Sequence, residues 1–142
     1  MIPMNRKIGP SHSVSLQVPF HDLDPLQVVW HGNYFKYFEI ARAALFDSLG
    51  IDLYSTHLTS SIVFPIVRTA TKHLYPLRFR DDFTCRAQLR EARFKIVMDF
   101  EIRITENNRI CATGMSEQVA VKVPEMELQM MIPKEIREKL GF

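Results

Sequence analysis

The stretch NYFKYFEIARAALFDSLG, residues 33–50, leaves a chain like this few ways to fold. Tyr34, Tyr37, Phe38, Ala41, Ala44, Leu45 and Leu49 recur at helical spacing. Phe35, Ile40 and Phe46 fall off that face, so the only polar stripe is a narrow one through Lys36, Glu39 and Asp47. A helix that is apolar nearly all round has to be enclosed by the rest of the fold. Asn33 is predicted as its N-cap, and Gly50 stands where a C′ glycine would end it.

What encloses it is read from the flanks, where the period is two. VSLQVPF (14–20) alternates Val14, Leu16, Val18 and Phe20 as a half-buried strand. After the helix come a strand region at 62–74 interrupted by Pro65, alternating runs at 83–91 and 94–105, a turn at 106–108, and a long strand at 110–123 bent at Gly114. PKEIREKL (133–140) is predicted as a tail helix with Pro133 at N1. The order, one strand, one long helix, then antiparallel strands, predicts an α+β fold with a strongly bent sheet wrapped around a central helix. Such a sheet has edges that need cover, which predicts a homodimer or homotetramer, with pairing through the strand near Phe94 to Thr105 or its neighbour.

A length of 142 residues favours one domain, taken as 14–142 behind a flexible leader at 1–13 that has no signal-peptide core. No stretch approaches the roughly 20 apolar residues of a membrane span. Cys85 and Cys111 form no C-x-x-C pair, the pattern of a reduced, cytoplasmic protein. The net charge of +2 gives no ground for nucleic acid as a partner. Its distribution is uneven: between Arg68 and Lys95 eight basic residues face three acidic ones, so that window carries +5 and the remainder −3. This is either a solvated basic face or a docking surface for an anionic ligand.

The chemistry gathers in HDLDPLQVVWHGNYFKYFEIAR, residues 21–42, where His21, Asp22, Asp24 and His31 stand close in sequence. Three readings are open from the residues alone: a divalent-metal site, a catalytic carboxylate, or a polar loop. The spacing matches no recognised ligand pattern. The chain has no G-x-S-x-G, which argues against a serine esterase of the α/β-hydrolase type.

The pattern D-x-D-P-x-x-V-V-W-H-x-N-Y-x-x-Y-x-E-x-A-R resembles the 4-hydroxybenzoyl-CoA thioesterase branch of the hotdog-fold superfamily, which includes the Tol-Pal-associated acyl-CoA thioesterases. The resemblance implies a hotdog fold, oligomers with sites at the subunit interface, and hydrolysis of an acyl thioester without metal or cofactor. It implies Asp24 as general base or nucleophile, with the backbone N–H at His31 polarising the carbonyl at the helix N-terminus. Trp30 is then a substrate contact, and Arg93 and Lys95 are the candidates for CoA phosphates. Asp22 is expected to be structural. Gln27 departs from the pattern, because many relatives carry glycine there. An acyl carrier protein is the alternative thioester partner, and a non-catalytic acyl-binding subunit is the alternative outside enzymes.

Overall fold

The computed structural model describes residues 8–142. Five strands form one antiparallel sheet: β1 (Ser11–Gln17), β3 (Ile66–His73), β4 (Asp82–Glu91), β5 (Ile96–Ile104) and β6 (Ile110–Gln118), in the order β1-β4-β5-β6-β3. The long helix α1 (Asn33–Ser48) crosses the inner face of the sheet on the β1 and β4 side. A small second sheet joins β2 (Ile62–Val63), β7 (Val121–Lys122) and β8 (Glu127–Leu128) beside a short helix α2 (Leu53–Ser60). A last helix, α3 (Lys134–Lys139), follows Pro133. One helix against one curved antiparallel sheet is the hotdog arrangement.

Alternation explains the sheet. Along β4, Phe83, Cys85, Ala87 and Leu89 are buried while Arg86 is exposed, and along β5 Met98, Phe100, Ile102 and Ile104 point inward. Phe38 is the centre of the packing. Its ring stacks on Phe100 at 4.7 Å and lies over Gly114, where an added Cβ would sit 2.4 Å from it. Gly114 therefore makes room for an aromatic ring, and β6 keeps its register with β5 and β3 through it. Both cysteines are buried and free, and burial pushes the Cys85 thiol up to about 12.

Several sequence expectations are corrected. The first strand begins at Ser11 and pairs Ser11 with Gln88, so residues 11–13 belong to the sheet; residues 1–7 of the expected leader lie outside the described residues. Phe20 leaves the strand for a 3-10 turn and is exposed. Asn33 is the first helical residue and Gly32 takes the cap position without a side-chain bond, because the Asn33 amide reaches back to the Asp22 carbonyl at 2.9 Å. Gly50 does adopt a left-handed φ of +68° just past the helix. On α1 itself, Phe35 and Ile40 stay more than a third exposed, on the flank turned away from the sheet.

β5 cannot be the strand that pairs with another copy, because β4 and β6 already occupy both of its edges. The free edges are β1 and β3. β1 shows solvent a row of Ser11, Ser13, Ser15 and Gln17. β3 is exposed along nearly its whole length and carries Ile66 and Val67 into solvent.

The fit of Phe38 to Gly114 gives a stability test. Gly114→Ala should lower the unfolding free energy by about 1–3 kcal/mol, the usual cost of overpacking a core. Urea titration with an unchanged m-value would register it as a shift in midpoint.

Candidate active site

Residues 22–31 form a tight loop that turns back along the start of α1. Asp22 is the anchor. It is 2% exposed, and its carboxylate accepts hydrogen bonds from Lys36 Nζ at 2.5 Å and Tyr37 Oη at 2.6 Å. Its carbonyl accepts from Trp30 N and from the Asn33 amide, both at 2.9 Å. Burial pushes the Asp22 carboxyl up, but the bonds from Lys36 and Tyr37 and the nearby charges of Lys36 and His21 outweigh it and hold the group below its ordinary 3.8. Tyr37, buried and facing that carboxylate, is driven well above the ordinary tyrosine range.

This anchor presents Asp24. Its backbone makes a small turn, with Asp24 N bonded to the Val28 carbonyl at 2.8 Å and Gln27 N to the Asp24 carbonyl at 3.0 Å. Its Oδ1 accepts the Leu26 N–H at 2.8 Å, which fixes the rotamer and leaves Oδ2 without a protein partner among the described residues. Gln27 closes the turn at φ +65°, a left-handed conformation that glycine adopts at least cost, which accounts physically for the glycine expected at this position.

Asp24 and His31 line one cleft of about 280 Å³, together with Tyr34, His73 and Tyr75. At the α1 start, Asn33 N and Tyr34 N turn back to the Trp30 and His31 carbonyls. The N–H groups of His31 and Gly32 donate to no protein acceptor among the described residues, and His31 stands on the cleft that Asp24 lines. The Trp30 ring lies against Gly32, so an added Cβ there would have to push the ring aside.

The sequence-predicted residues divide. Asp24 and His31 meet in the cleft. Trp30 does not line it; its ring covers Gly32 and is half exposed. Arg93 and Lys95 lie in the β4–β5 turn, at the opposite end of the sheet from His73. The Arg93 guanidinium rests over Phe94, and Lys95 pairs with Glu117 at 3.2 Å. Within the basic window Arg90 is held by Asp99 at 2.6 Å, and Arg68 also faces Glu117. The four-residue cluster also comes apart. His21 points to solvent and Asp22 into the Lys36–Tyr37 pocket, while Asp24 and His31 turn to the cleft. No group of three or more His, Cys, Asp or Glu among the described residues is arranged to hold a metal ion.

Sequence reasoning missed the β3 wall of the cleft. His73 ends β3, and its ring meets Tyr34 edge-on with centroids 4.7 Å apart. Tyr34 accepts the Leu77 N–H at 3.4 Å, and Arg109 lies over the Tyr75 ring at 3.8 Å. The available signal was a histidine and a tyrosine where the apolar pattern of the strand fails.

A family model described as the thioesterase-like superfamily matches residues 18–140. In fold the chain is similar to a 1,4-dihydroxy-2-naphthoyl-CoA thioesterase from Synechocystis, with a TM-score of 0.83 and 17% identity, covering 93% of this chain and 96% of that one. It is also similar to a 4-hydroxybenzoyl-CoA thioesterase, solved as an aspartate-to-asparagine mutant complexed with 4-hydroxybenzoyl-CoA (TM-score 0.82, 20% identity, 92% of this chain and 98% of that one). A gentisyl-CoA thioesterase is 24% identical at a TM-score of 0.75, over 89% of this chain and 99% of its own. Among the described residues no helix is long and apolar enough to cross a membrane.

The Asp22 anchor carries a pH signature. In the unfolded chain the carboxyl titrates near 3.8, and in the native state it titrates lower. Its contribution is therefore complete above 3.8 and is lost as the pH falls below that value through the native one. Asp22→Asn should cost about 1.5–3 kcal/mol at neutral pH, the worth of hydrogen bonds to a charged group. In denaturation series from pH 7 to pH 3, the gap between wild type and variant should narrow only at the acid end.

Proposed function

The chain belongs to the thioesterase-like superfamily and is a thioester hydrolase, and we propose that it hydrolyses an acyl-CoA thioester with Asp24 as the reacting carboxylate. The observation that carries this reading is one cleft lined by Asp24, whose Oδ2 has no protein partner among the described residues, and by His31, whose N–H at the start of α1 is equally unused. Thioester hydrolysis needs these two things. A carboxylate activates water or attacks the carbonyl carbon, and donors at a helix N-terminus stabilise the oxyanion that develops. His31 contributes its main-chain N–H. Trp30 holds the helix entry by covering Gly32.

Aromatic acyl groups fit the cleft better than long aliphatic ones. Its walls carry Tyr34, His73 and Tyr75, and similar folds include thioesterases of naphthoyl, hydroxybenzoyl and gentisyl esters. Asp24→Asn should keep the fold and lower kcat on the best aryl-CoA by at least about 10²-fold, the lower end for a lost acid–base group. A panel of aryl-CoA, fatty acyl-CoA and acyl carrier protein thioesters, assayed with both proteins, tests mechanism and substrate together. Activity of the variant within a few-fold of wild type would remove Asp24 from the reaction.

The working unit on this reading is a dimer joined through β3. A second β3 laid antiparallel on the first would satisfy the open ladder and cover Ile66 and Val67. Antiparallel pairing also reverses the strand ends, so the β4–β5 turn of one copy would approach the Asp24 cleft of the other. That is how Arg93 and Lys95, remote from the cleft in one chain, would reach the phosphates of CoA. Thr69→Pro removes a donor that faces the free edge of β3, since the alternate residues bond to β6, and should give monomers by sedimentation velocity with less than about a tenth of the activity. A fully active monomer would rule out the shared site.

A further inference from the structure

We infer that His73 is the proton donor to the departing sulfur, a second reacting group in the Asp24 cleft. The inference rests on reading that cleft as a thioester-hydrolysis site. The carboxylate and the helix N–H groups account for water activation and for the oxyanion. The N–H groups are occupied by the carbonyl oxygen, and the one proton Asp24 comes to hold is taken from the attacking water, so a second acid in the cleft would let the sulfur leave without waiting for that proton to be handed across. An alkyl thiolate is basic enough, with a conjugate thiol near pKa 8.5, for a positioned acid to speed its departure.

The cleft offers three other groups with a proton to give, and the geometry selects among them. Tyr34 is buried, and desolvation holds its hydroxyl above the ordinary 10.0, too weak an acid for the task. Tyr75 lies under the Arg109 guanidinium at 3.8 Å, which covers the face of its ring. His31 has its ring against Trp30, with centroids 5.2 Å apart, on the exposed side of the helix start. His73 is exposed as well, and it differs in how it is held. Its ring is set edge-on against Tyr34, which is itself pinned by the Leu77 N–H, so the imidazole has a fixed backing. Neither ring nitrogen has a protein partner among the described residues. The groups that face it are Tyr34 from α1, Asp24 and His31 from the 22–31 loop, and Tyr75 from the turn after β3, while its ladder partner on β6 is the apolar Ala112.

The step balances. A water oxygen bonds to the carbonyl carbon as one of its protons passes to the Asp24 carboxylate. The C–S bond breaks with its electron pair going to sulfur, and the sulfur takes a proton from the His73 imidazolium. The proton on Asp24 then returns through solvent to the neutral imidazole. Thioester and water give acid and thiol, and the protein ends as it began.

A leaving-group comparison tests this. His73→Gln keeps a polar side chain of similar reach on an exposed strand end. On the CoA ester of the best acyl group it should lower kcat by about 10²-fold. On an aryl thioester of the same acyl group, whose thiolate leaves without a proton, the variant should stay within a few-fold of wild type. That second substrate also reports whether the variant is folded. His73→Ala with added imidazole should recover rate on the CoA ester alone. Equal losses on both substrates, or no loss on the CoA ester, would overturn the assignment while leaving Asp24 in place. Wild-type protein inert on every thioester would overturn the underlying reading and this inference with it.

Discussion

The bond between the Asp22 carboxylate and the Lys36–Tyr37 pair is what the remaining geometry depends on. It ties a loop with no regular structure to the first turn of α1, and it does so from inside the protein. The Asp22 carbonyl then collects the Trp30 N–H and the Asn33 amide, so one residue fixes both the return of the loop and the entry of the helix. Asp24, two residues along the chain, inherits its position from this arrangement. The burial of an ion is tolerated because every lone pair it turns inward finds a donor.

Division of labour within D-x-D follows from that contrast. Asp22 is surrounded by donors and has no freedom, whereas Asp24 has one oxygen committed to a turn and one exposed to the cleft. Tyr34 belongs to both worlds: it packs in the core against Tyr37 and forms the back of the cleft behind His73. A residue shared in this way couples the stability of the core to the shape of the site, so core substitutions near Tyr34 act on both.

Periodicity made the helix, the alternating strands and their order legible in the sequence, because those depend on which faces are buried. The Asp24 and His31 pair was legible only through the density of the surrounding motif, since an aspartate in a loop has many commoner uses. What stayed hidden depends on three-dimensional neighbours. Nothing in KHLY announces that β3 ends at the cleft. The reason for Gly114 is a phenylalanine 76 residues earlier, and local sequence suggested a bend instead. The central position of β5 follows from sheet order, which alternation cannot reveal.

Arg42 has the opposite character from the loop. It is 5% exposed in the middle of α1, donates to Ser116 Oγ on β6 at 2.6 Å, bonds Glu39 one turn back, and spreads its guanidinium over Phe100. A helix held only by apolar side chains can roll or slide by fractions of a turn with modest loss. One that threads a cation onto a specific hydroxyl has a detent: any roll strands a buried charge. Arg42 lies eight residues beyond Tyr34, about 12 Å along the axis, so the detent fixes the azimuth of the helix start from a distance. The donors of the cleft are thereby a rigid datum, and divergence in substrate size within such a scaffold has to be written into the loop and the strand ends that face it.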